Sequence, residues 1–329
     1  MLTVSIGLVF FAASLLFVEF LKLQWKRRQL PPGPTPYPLF GNLLQMKFRI
    51  HHDILKKMSK LHGNIFTLWL ANTPVVVLQG YQAVKEGMTA HAEEVAGRPQ
   101  NLILLRYSNP GVMFSNGHLW KQQRRFGLVT MRRMGVGKKD QDCQIQEEAC
   151  RLVEYLRETN EKVQKELDAV LGRSNLACYT DRKRLPYTNA VIHEIQRYSN
   201  IILIALPRQT VKDTELLGYP IPKNTIVLVN IDSVLSDPEK WETPDQFNPG
   251  HFLDKDGNFV HREAFLPFSI GSRVCMGELL ARLELFIVFS TLLRAFRFTL
   301  PDGVKEVNTK FVFGSTMKPP PYQLCAIPR

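Results

Sequence analysis

The stretch FSIGSRVCMGELLAR, residues 268–282, places one cysteine between two glycines, where a loop leads into an apolar helix. Cys275 is then expected near the N-terminal end of that helix. Unpaired backbone N–H groups and the positive end of the helix dipole stabilise a thiolate there. Gly271 permits a tight turn, and Gly277 lets a flat group approach the backbone. Arg273 adds a cation two residues before the sulfur.

These features leave two interpretations of Cys275 open. A thiolate, a flat approach surface and a nearby arginine suit a heme, with the sulfur bound to iron and the arginine bound to a propionate. The alternative is a small buried cysteine of the core. The spacing of the residues alone does not decide between them.

The composition limits both the class of protein to which this chain can belong and the partners that it can bind. The 329 residues are 45% hydrophobic, which is enough for a sizeable core in one large domain or two smaller ones. The net charge of +12 suits nucleic acid, an anionic membrane or an acidic protein. There is no zinc finger, aromatic RNA-binding motif or basic zipper, so we expect no nucleic-acid partner. No CxxC pair occurs among the cysteines, which excludes structural zinc and a disulfide framework.

The N-terminal segment is predicted to be a membrane anchor. Residues 2–21 are almost continuously apolar, and a spanning helix needs about 20 such residues. Lys22, Lys26, Arg27 and Arg28 follow the apolar segment, so the body should lie on the cytosolic side. A cleaved signal peptide is the alternative, but it usually has basic residues before the apolar segment. We therefore predict a retained signal anchor over residues 1–21.

A basic, proline-rich hinge over residues 22–38 should separate the anchor from the body. Its prolines exclude helix and make the segment stiff and extended. The body, residues 39–329, is predicted to be mainly α with small β-sheets, an α+β class. Strands 64–70 and 74–80 should form a hairpin. Predicted helices cover residues 81–89, 118–129, 145–158, 161–172, 185–199 and 276–296, and the last, which is apolar on most faces, should be a buried core helix.

The stretch FSIGSRVCMG, residues 268–277, matches F-x-x-G-x-R-x-C-x-G at every fixed position. Three further motifs occur in the same order as in known relatives: WKQQR (120–124), HEIQR (193–197) and FNPGHF (247–252). Together they resemble the cytochrome P-450 superfamily. The anchor and the segment PPGPTPYPLFGNL resemble the microsomal, vertebrate enzymes of family two, and the C-terminal part is most similar to the branch that oxidises fatty acids and xenobiotics.

This resemblance implies heme b as the cofactor and assigns roles to individual residues. Cys275 would be the axial thiolate ligand of the heme iron. Phe268 and Gly277 match fixed positions of the heme-binding motif. Five residues match positions that contact the heme propionates: Arg98, Trp120, Arg124, Arg208 and Arg273. For Arg98 and Arg208 a solvated surface charge is the alternative.

Three further residues are implied to be structural. Glu194 and Arg197 lie three apart, on one face of a helix. They should pair with each other and fix the segment before the cysteine. His251 stands where the superfamily often has arginine, so this third contact would depend on histidine protonation.

The sequence departs from the superfamily in its centre. The superfamily has a long helix across the heme with an acid–alcohol pair that delivers protons, and this chain has no such helix. Roughly a third of a full-length relative is missing, with the junction near residues 160–161, so we predict an internally truncated P-450 fold. Glu158–Thr159 and Asp213–Thr214 are poor substitutes. No catalytic residue is therefore identified.

The resemblance implies a heme-thiolate monooxygenase that inserts one oxygen atom from O₂ into lipophilic substrates, such as fatty acids or xenobiotics. Electrons would come from an NADPH–cytochrome P-450 reductase, with cytochrome b5 as a second partner, at the endoplasmic reticulum membrane. A basic patch should steer the acidic reductase: Arg124, Arg125, Arg132, Arg133, Lys138 and Lys139. The alternatives are a catalytically impaired heme-binding membrane protein and a membrane-anchored interaction product without heme. The sequence does not name the substrate.

Overall fold

The structure of the protein is a computed structural model that describes residues 2–48, 50, 52–100, 111–133, 157–172, 177–304, 312–313, 316–318, 321 and 323–329. The chain divides into two units. The first unit contains residues 1–121, 204–234 and 269–274. The second unit contains residues 122–203, 235–268 and 275–329.

A four-stranded sheet organises the first unit, in the order β1-β2-β6-β3. Strands β1 (Ile65–Leu70) and β2 (Thr73–Leu78) form the predicted antiparallel hairpin. Strand β2 then pairs in parallel with β6 (Ile226–Val229), and β6 pairs with the short β3 (Arg208–Gln209). The apolar segment of β2 is buried, which is typical of an inner strand covered on both faces. Thr214–Leu216 and Tyr219–Ile221 form a separate hairpin, β4–β5.

The first unit also contains helices, in chain order α1 (Leu2–Arg27), α2 (His52–His62), α3 (Tyr81–Thr89) and α4 (Gly111–Phe114). Helix α8 (Ile231–Leu235) lies in this unit except for its last residue. Helix α5 (Gly117–Arg133) begins in the first unit and ends in the second. Within the described part of the chain, no helix combines the length and the apolarity needed to cross a membrane.

Three helices form the core of the second unit: α6 (Arg157–Leu171), α7 (Pro186–Tyr198) and α9 (Glu278–Ala295). They bury Val163, Leu167, Val191, Phe286 and Ile287 against one another. Short 3₁₀ helices cover Tyr179–Lys183 and Pro249–Phe252. The strands of this unit form two two-stranded antiparallel sheets: β7 (Phe296–Thr299) with β10 (Cys325–Pro328), and β8 (Val312–Phe313) with β9 (Met317–Lys318).

Helix α6 passes through the predicted junction at residues 160–161 without a break. The predicted helix 161–172 therefore exists and begins four residues earlier than expected, at Arg157. Asn160, at the junction, is buried. Most of the predicted helix 145–158 lies outside the described residues.

Helix α9 is the predicted core helix, but it is buried on only one face. Leu279 and Leu285 are 47% and 38% exposed. The buried face carries Leu283, Phe286 and Ile287, which pack in the core shared with α6 and α7. Two neighbouring helices cover only one side of a third, so the remaining apolar residues of α9 stay accessible.

Candidate functional site

Cys275 lies in a loop directly before helix α9, and we name residues 268–277 the cysteine loop. The helix begins at Glu278 with Gly277 as its N-cap, so Cys275 precedes the first helical residue by three positions. Its thiol is free and the residue is exposed. The backbone N–H of Cys275 donates to the carbonyl of Phe268 at 3.1 Å. The loop thus presents an accessible thiol whose backbone is held by a hydrogen bond.

Glycine is required at position 271, in the middle of the cysteine loop, because of its backbone conformation and because a side chain would have no space. Its φ is +82°, in the left-handed region that favours glycine. A Cβ at this position would lie 2.1 Å from the carbonyl oxygen of Met88, at the end of α3. Ser272 also donates its hydroxyl to the carbonyl of Ala92 at 2.7 Å. This part of the loop packs directly against backbone in the first unit.

Three buried arginines of the first unit, Arg98, Arg208 and Arg273, form what we name the arginine cluster. Arg98 donates to the carbonyls of Met113 at 3.0 Å and of Leu206 and Pro207 at 2.8 Å each. Burial excludes the interpretation of Arg98 and Arg208 as solvated surface charges. Because these carbonyls come from two separate segments, Arg98 joins them.

Arg273 is held by backbone on one side and by an aromatic ring on the other. It donates to the carbonyls of Ala96 at 2.7 Å and Ser115 at 2.8 Å. Its guanidinium lies 3.8 Å from the ring centroid of Trp120, which is also buried. The cation–π contact brings two residues of the predicted heme site together within the first unit.

Arg208 is the least satisfied member of the cluster. One terminal nitrogen donates to the Ile270 carbonyl at 2.7 Å and to the Ser269 hydroxyl at 3.1 Å. Its Nε and Nη1 have no hydrogen-bond partner among the described residues. Burial, together with the smaller effects of the charges of Arg98 and Arg273, lowers the pKa of Arg208 to about 9. Burial alone lowers the pKa of Arg98 to about 10.

The cluster has the chemistry of an anion-binding site. Buried charges are costly unless they are paired, and clustered like charges add repulsion. Among the described residues, no carboxylate forms an ion pair with Arg98 or Arg208. A ligand with carboxylates would satisfy the remaining donors of Arg208, so the residues present fit the propionates of a heme.

We therefore expect Arg208→Met to stabilise the heme-free chain and to weaken heme binding. The heme-free variant should be more stable by about 1–3 kcal/mol, because a poorly paired buried charge is removed. Its affinity for heme should fall at least about tenfold, because charge-assisted donors are lost. Urea unfolding and heme titration measure the two quantities.

Arg98→Met is the matched control for this prediction. It should destabilise the heme-free chain, because three buried carbonyls lose their donor. Equal destabilisation by both variants would contradict the assignment of Arg208 as an unsatisfied cation.

Helix α5 carries Arg124, which belongs to the second unit and is half-buried. Burial lowers the pKa of Arg124, and the negative charge of the Cys275 thiolate opposes that effect. Arg125, Arg132 and Arg133 of the predicted basic patch are exposed on the same helix. Lys138 and Lys139 lie outside the described residues.

Glu194 and Arg197 form a buried, bidentate ion pair on helix α7. The two hydrogen bonds from the guanidinium measure 2.7 and 2.8 Å. Arg197 also donates to three backbone carbonyls: that of Leu235, the last residue of α8, and those of Pro244 and Gln246. Through these hydrogen bonds Arg197 joins α7 to residues 235–246.

His251 makes the third contact of this network in its neutral form. The backbone N–H of Thr243 donates to Nε2 at 3.2 Å, so the ring proton resides on Nδ1, which donates to Glu194 at 3.2 Å. Burial would raise the pKa of Glu194, but hydrogen bonds from Arg197, His251 and the Asn248 backbone outweigh it and lower the pKa. The carboxylate therefore stays charged, and a neutral His251 suffices as donor.

Of the two candidate acid–alcohol pairs, the structure describes the side chains of Asp213 and Thr214 only. Asp213 accepts the backbone N–H of Lys223 at 2.7 Å, and Thr214 begins β4, so this pair stabilises a surface hairpin. Glu158 and Thr159 lie in helix α6, and the structure does not describe their side chains.

Sequence reasoning missed Arg282, which lies beside Phe268 in the second unit, and His193, which contacts Arg282. The guanidinium of Arg282 is 5.3 Å from the ring centroid of Phe268 and 3.1 Å from Nε2 of His193. The spacing of Glu278 and Arg282, four apart on one helix face, was the available signal. The partner His193 comes from another helix and has no signal in the local sequence.

Comparison with known proteins identifies a single family. The sequence profile described as Cytochrome P-450 matches residues 31–162 and 158–326. Cytochrome P-450 2C25 of Mesocricetus auratus is 31% identical over 98% of this chain and 99% of its own length. Cytochrome P-450 2C8 of Homo sapiens is 30% identical over 92% of this chain and 95% of its own length. The alignment with the hamster protein spans 483 positions, more than the 329 residues of this chain.

Proposed function

Because the chain belongs to the cytochrome P-450 family, of the microsomal family-two type, we propose that it is a heme-thiolate monooxygenase of lipophilic substrates, either fatty acids or xenobiotics. The family uses thiolate-ligated heme b as its cofactor. When bound, this cofactor activates O₂ and supports the transfer of one oxygen atom to an organic substrate. The observation that carries the proposal is the buried arginine cluster, whose Arg208 has unused donors.

In this proposal the residues of the site divide into three roles. Cys275 supplies the thiolate to the iron, and its accessibility in the cysteine loop supports this role. Cationic and indole groups bind the propionates: Arg98, Trp120, Arg124, Arg208 and Arg273. Phe268 accepts the Cys275 N–H, and Gly277 leaves space beside the sulfur. Glu194, Arg197 and His251 hold the segment before the cysteine loop.

An NADPH–cytochrome P-450 reductase is the proposed electron donor, with cytochrome b5 as a second partner. Members of this family imply a redox partner. The exposed guanidinium groups of Arg125, Arg132 and Arg133 on α5 support docking of an acidic protein. Arg124, Lys138 and Lys139 complete the proposed patch.

We further propose that residues 1–21 anchor the protein in the endoplasmic reticulum membrane, with residues 22–38 as the hinge and residues 39–329 as the cytosolic catalytic domain. The microsomal relatives support this location. The apolar composition of residues 2–21 and the basic residues that follow support the orientation.

A heme-binding protein with impaired turnover is the second candidate, and it rests on the proposed deletion near residues 160–161. The two stretches matched by the family profile meet there, at residues 158–162. Asp213 and Thr214 stabilise a surface hairpin, which supports the loss of the expected proton delivery. The exposed apolar residues of α9 also support a lost covering segment. A membrane-anchored product without heme is the third possibility, and the experiment below separates all three.

The first test is the ferrous–CO difference spectrum of the full chain purified in detergent. We expect the Soret band of thiolate ligation in the wild type and its complete loss in Cys275→Ala. Cys325→Ala is the matched control, because Cys325 is another free and exposed thiol. It should leave the band unchanged.

The three candidates then give different results. A thiolate band with NADPH-driven substrate oxidation by added reductase supports the monooxygenase. A thiolate band without turnover supports the impaired heme protein. Well-folded protein without the band contradicts heme binding by this chain.

A further inference from the structure

His193 of helix α7 lies in an aromatic cage in the second unit. Its ring centroid is 4.7 Å from that of Phe259, 4.9 Å from that of Phe265 and 5.4 Å from that of Phe252. This titratable side chain has no part in the proposed function. A polar ring among three phenylalanines needs partners for both of its nitrogens.

The contacts of His193 define its tautomer. Nδ1 lies 2.8 Å from the carbonyl of Asn189, which can only accept, so Nδ1 carries the proton. Nε2 is then the acceptor for the Arg282 guanidinium at 3.1 Å. Burial lowers the pKa of His193 to about 4, the Asn189 hydrogen bond opposes this effect, and the charges of Arg282, His261 and Arg182 reinforce it. His193 is therefore a neutral acceptor aimed at Arg282.

Arg282 is held from a second side by its own helix. Its Nε and one terminal nitrogen contact the carboxylate of Glu278, one turn earlier, at 3.0 and 2.9 Å. Glu278 and His193 together direct the plane of the guanidinium. In that orientation it lies 5.3 Å from the ring centroids of both Phe265 and Phe268.

Phe268 connects this arrangement to the cysteine. Its carbonyl accepts the backbone N–H of Cys275 at 3.1 Å. We propose that Arg282 is a positioning residue for Cys275, which neutral His193 and Glu278 orient so that it restrains Phe268 and thereby the Phe268–Cys275 hydrogen bond. The functional importance of this restraint rests on the proposed role of Cys275 as heme ligand.

We expect Arg282 to have this effect because packing restrains Phe268, at the start of the cysteine loop, only weakly. Phe268 is only half-buried, so packing alone does not fix its ring. A guanidinium over an aromatic face is worth most where water is excluded, and the Arg282 side chain is only 18% exposed. Without the cation, the Phe268 ring should rotate and its carbonyl should leave the Cys275 N–H more often.

Hydrogen–deuterium exchange of the Cys275 amide measures this directly. We expect Arg282→Ala to accelerate exchange of that amide about tenfold in the folded, heme-free chain. Arg294→Ala is the matched control, because Arg294 lies near the other end of α9 and donates to the Gly172 carbonyl. It should leave exchange at Cys275 within about twofold of the wild type.

Variants of His193 distinguish orientation of Arg282 from simple packing. His193→Phe fills the cage but removes the acceptor, so it should accelerate the same amide severalfold. His193→Gln retains an acceptor oxygen and should restore a rate close to that of the wild type. These variants also test the proposal if Arg282→Ala does not fold.

Two outcomes would overturn the proposal. One is an unchanged exchange rate at Cys275 in folded Arg282→Ala; the other is equal acceleration by both His193 variants. Because the readout needs no cofactor, failure of the wild type to form the thiolate band would contradict the proposed function and leave this test intact. In heme-loaded protein, Arg282→Ala should also reduce the thiolate-ligated fraction of the ferrous–CO spectrum.

Discussion

Replacing Arg197 with methionine is expected to lower the free energy of unfolding by about 3–5 kcal/mol. The variant leaves the Glu194 carboxylate buried without its bidentate partner. It also leaves three backbone carbonyls without their donor, those of Leu235, Pro244 and Gln246. A loss of this size is a large fraction of the roughly 5–15 kcal/mol by which folded domains are stable, so the urea concentration at the midpoint of unfolding should fall sharply.

Lys212→Met is the control for this prediction. Lys212 pairs with Glu94 at 3.0 Å, but its side chain is 66% exposed, so the change should cost less than about 1 kcal/mol. Urea unfolding followed by circular dichroism measures both variants. If Arg197→Met and Lys212→Met lowered the free energy of unfolding by similar amounts, burial would add nothing to the stabilisation by the Glu194–Arg197 pair.

Gly271→Ala is the second change with a large expected effect. The new Cβ would lie 2.1 Å from the Met88 carbonyl oxygen, and φ at this position is +82°. The backbone must therefore move, and we expect a loss of about 3 kcal/mol or more together with loss of the thiolate band. Differential scanning calorimetry and the ferrous–CO spectrum measure the two effects.

Gly257→Ala isolates the contribution of conformation. Gly257 has the same φ of +82°, but no atom lies within 4 Å of the position of its Cβ. It should cost about 1–2 kcal/mol and leave the spectrum unchanged. An equal cost at both glycines would contradict close approach of the loop to Met88 as the reason for glycine at 271.

Periodicity and local motifs predicted most elements of the fold. The β1–β2 hairpin and helices α3, α5 and α7 occur where apolar spacing and turn residues placed them. Helix α9 was predicted correctly as a core helix, although it is buried on only one face. Its sequence is apolar in nearly every direction, and only the neighbours available to it decide which face is covered.

The sequence by itself determined the family, the position of Cys275 before α9, and the pairing of Glu194 with Arg197 three residues later. Each of these depends on residues close together in the chain. Only the tertiary structure decided that Arg98 and Arg208 are buried, that Arg208 has unused donors, and that His193 reaches Arg282. Burial and long-range contact depend on which segments meet in space, and no local spacing encodes that.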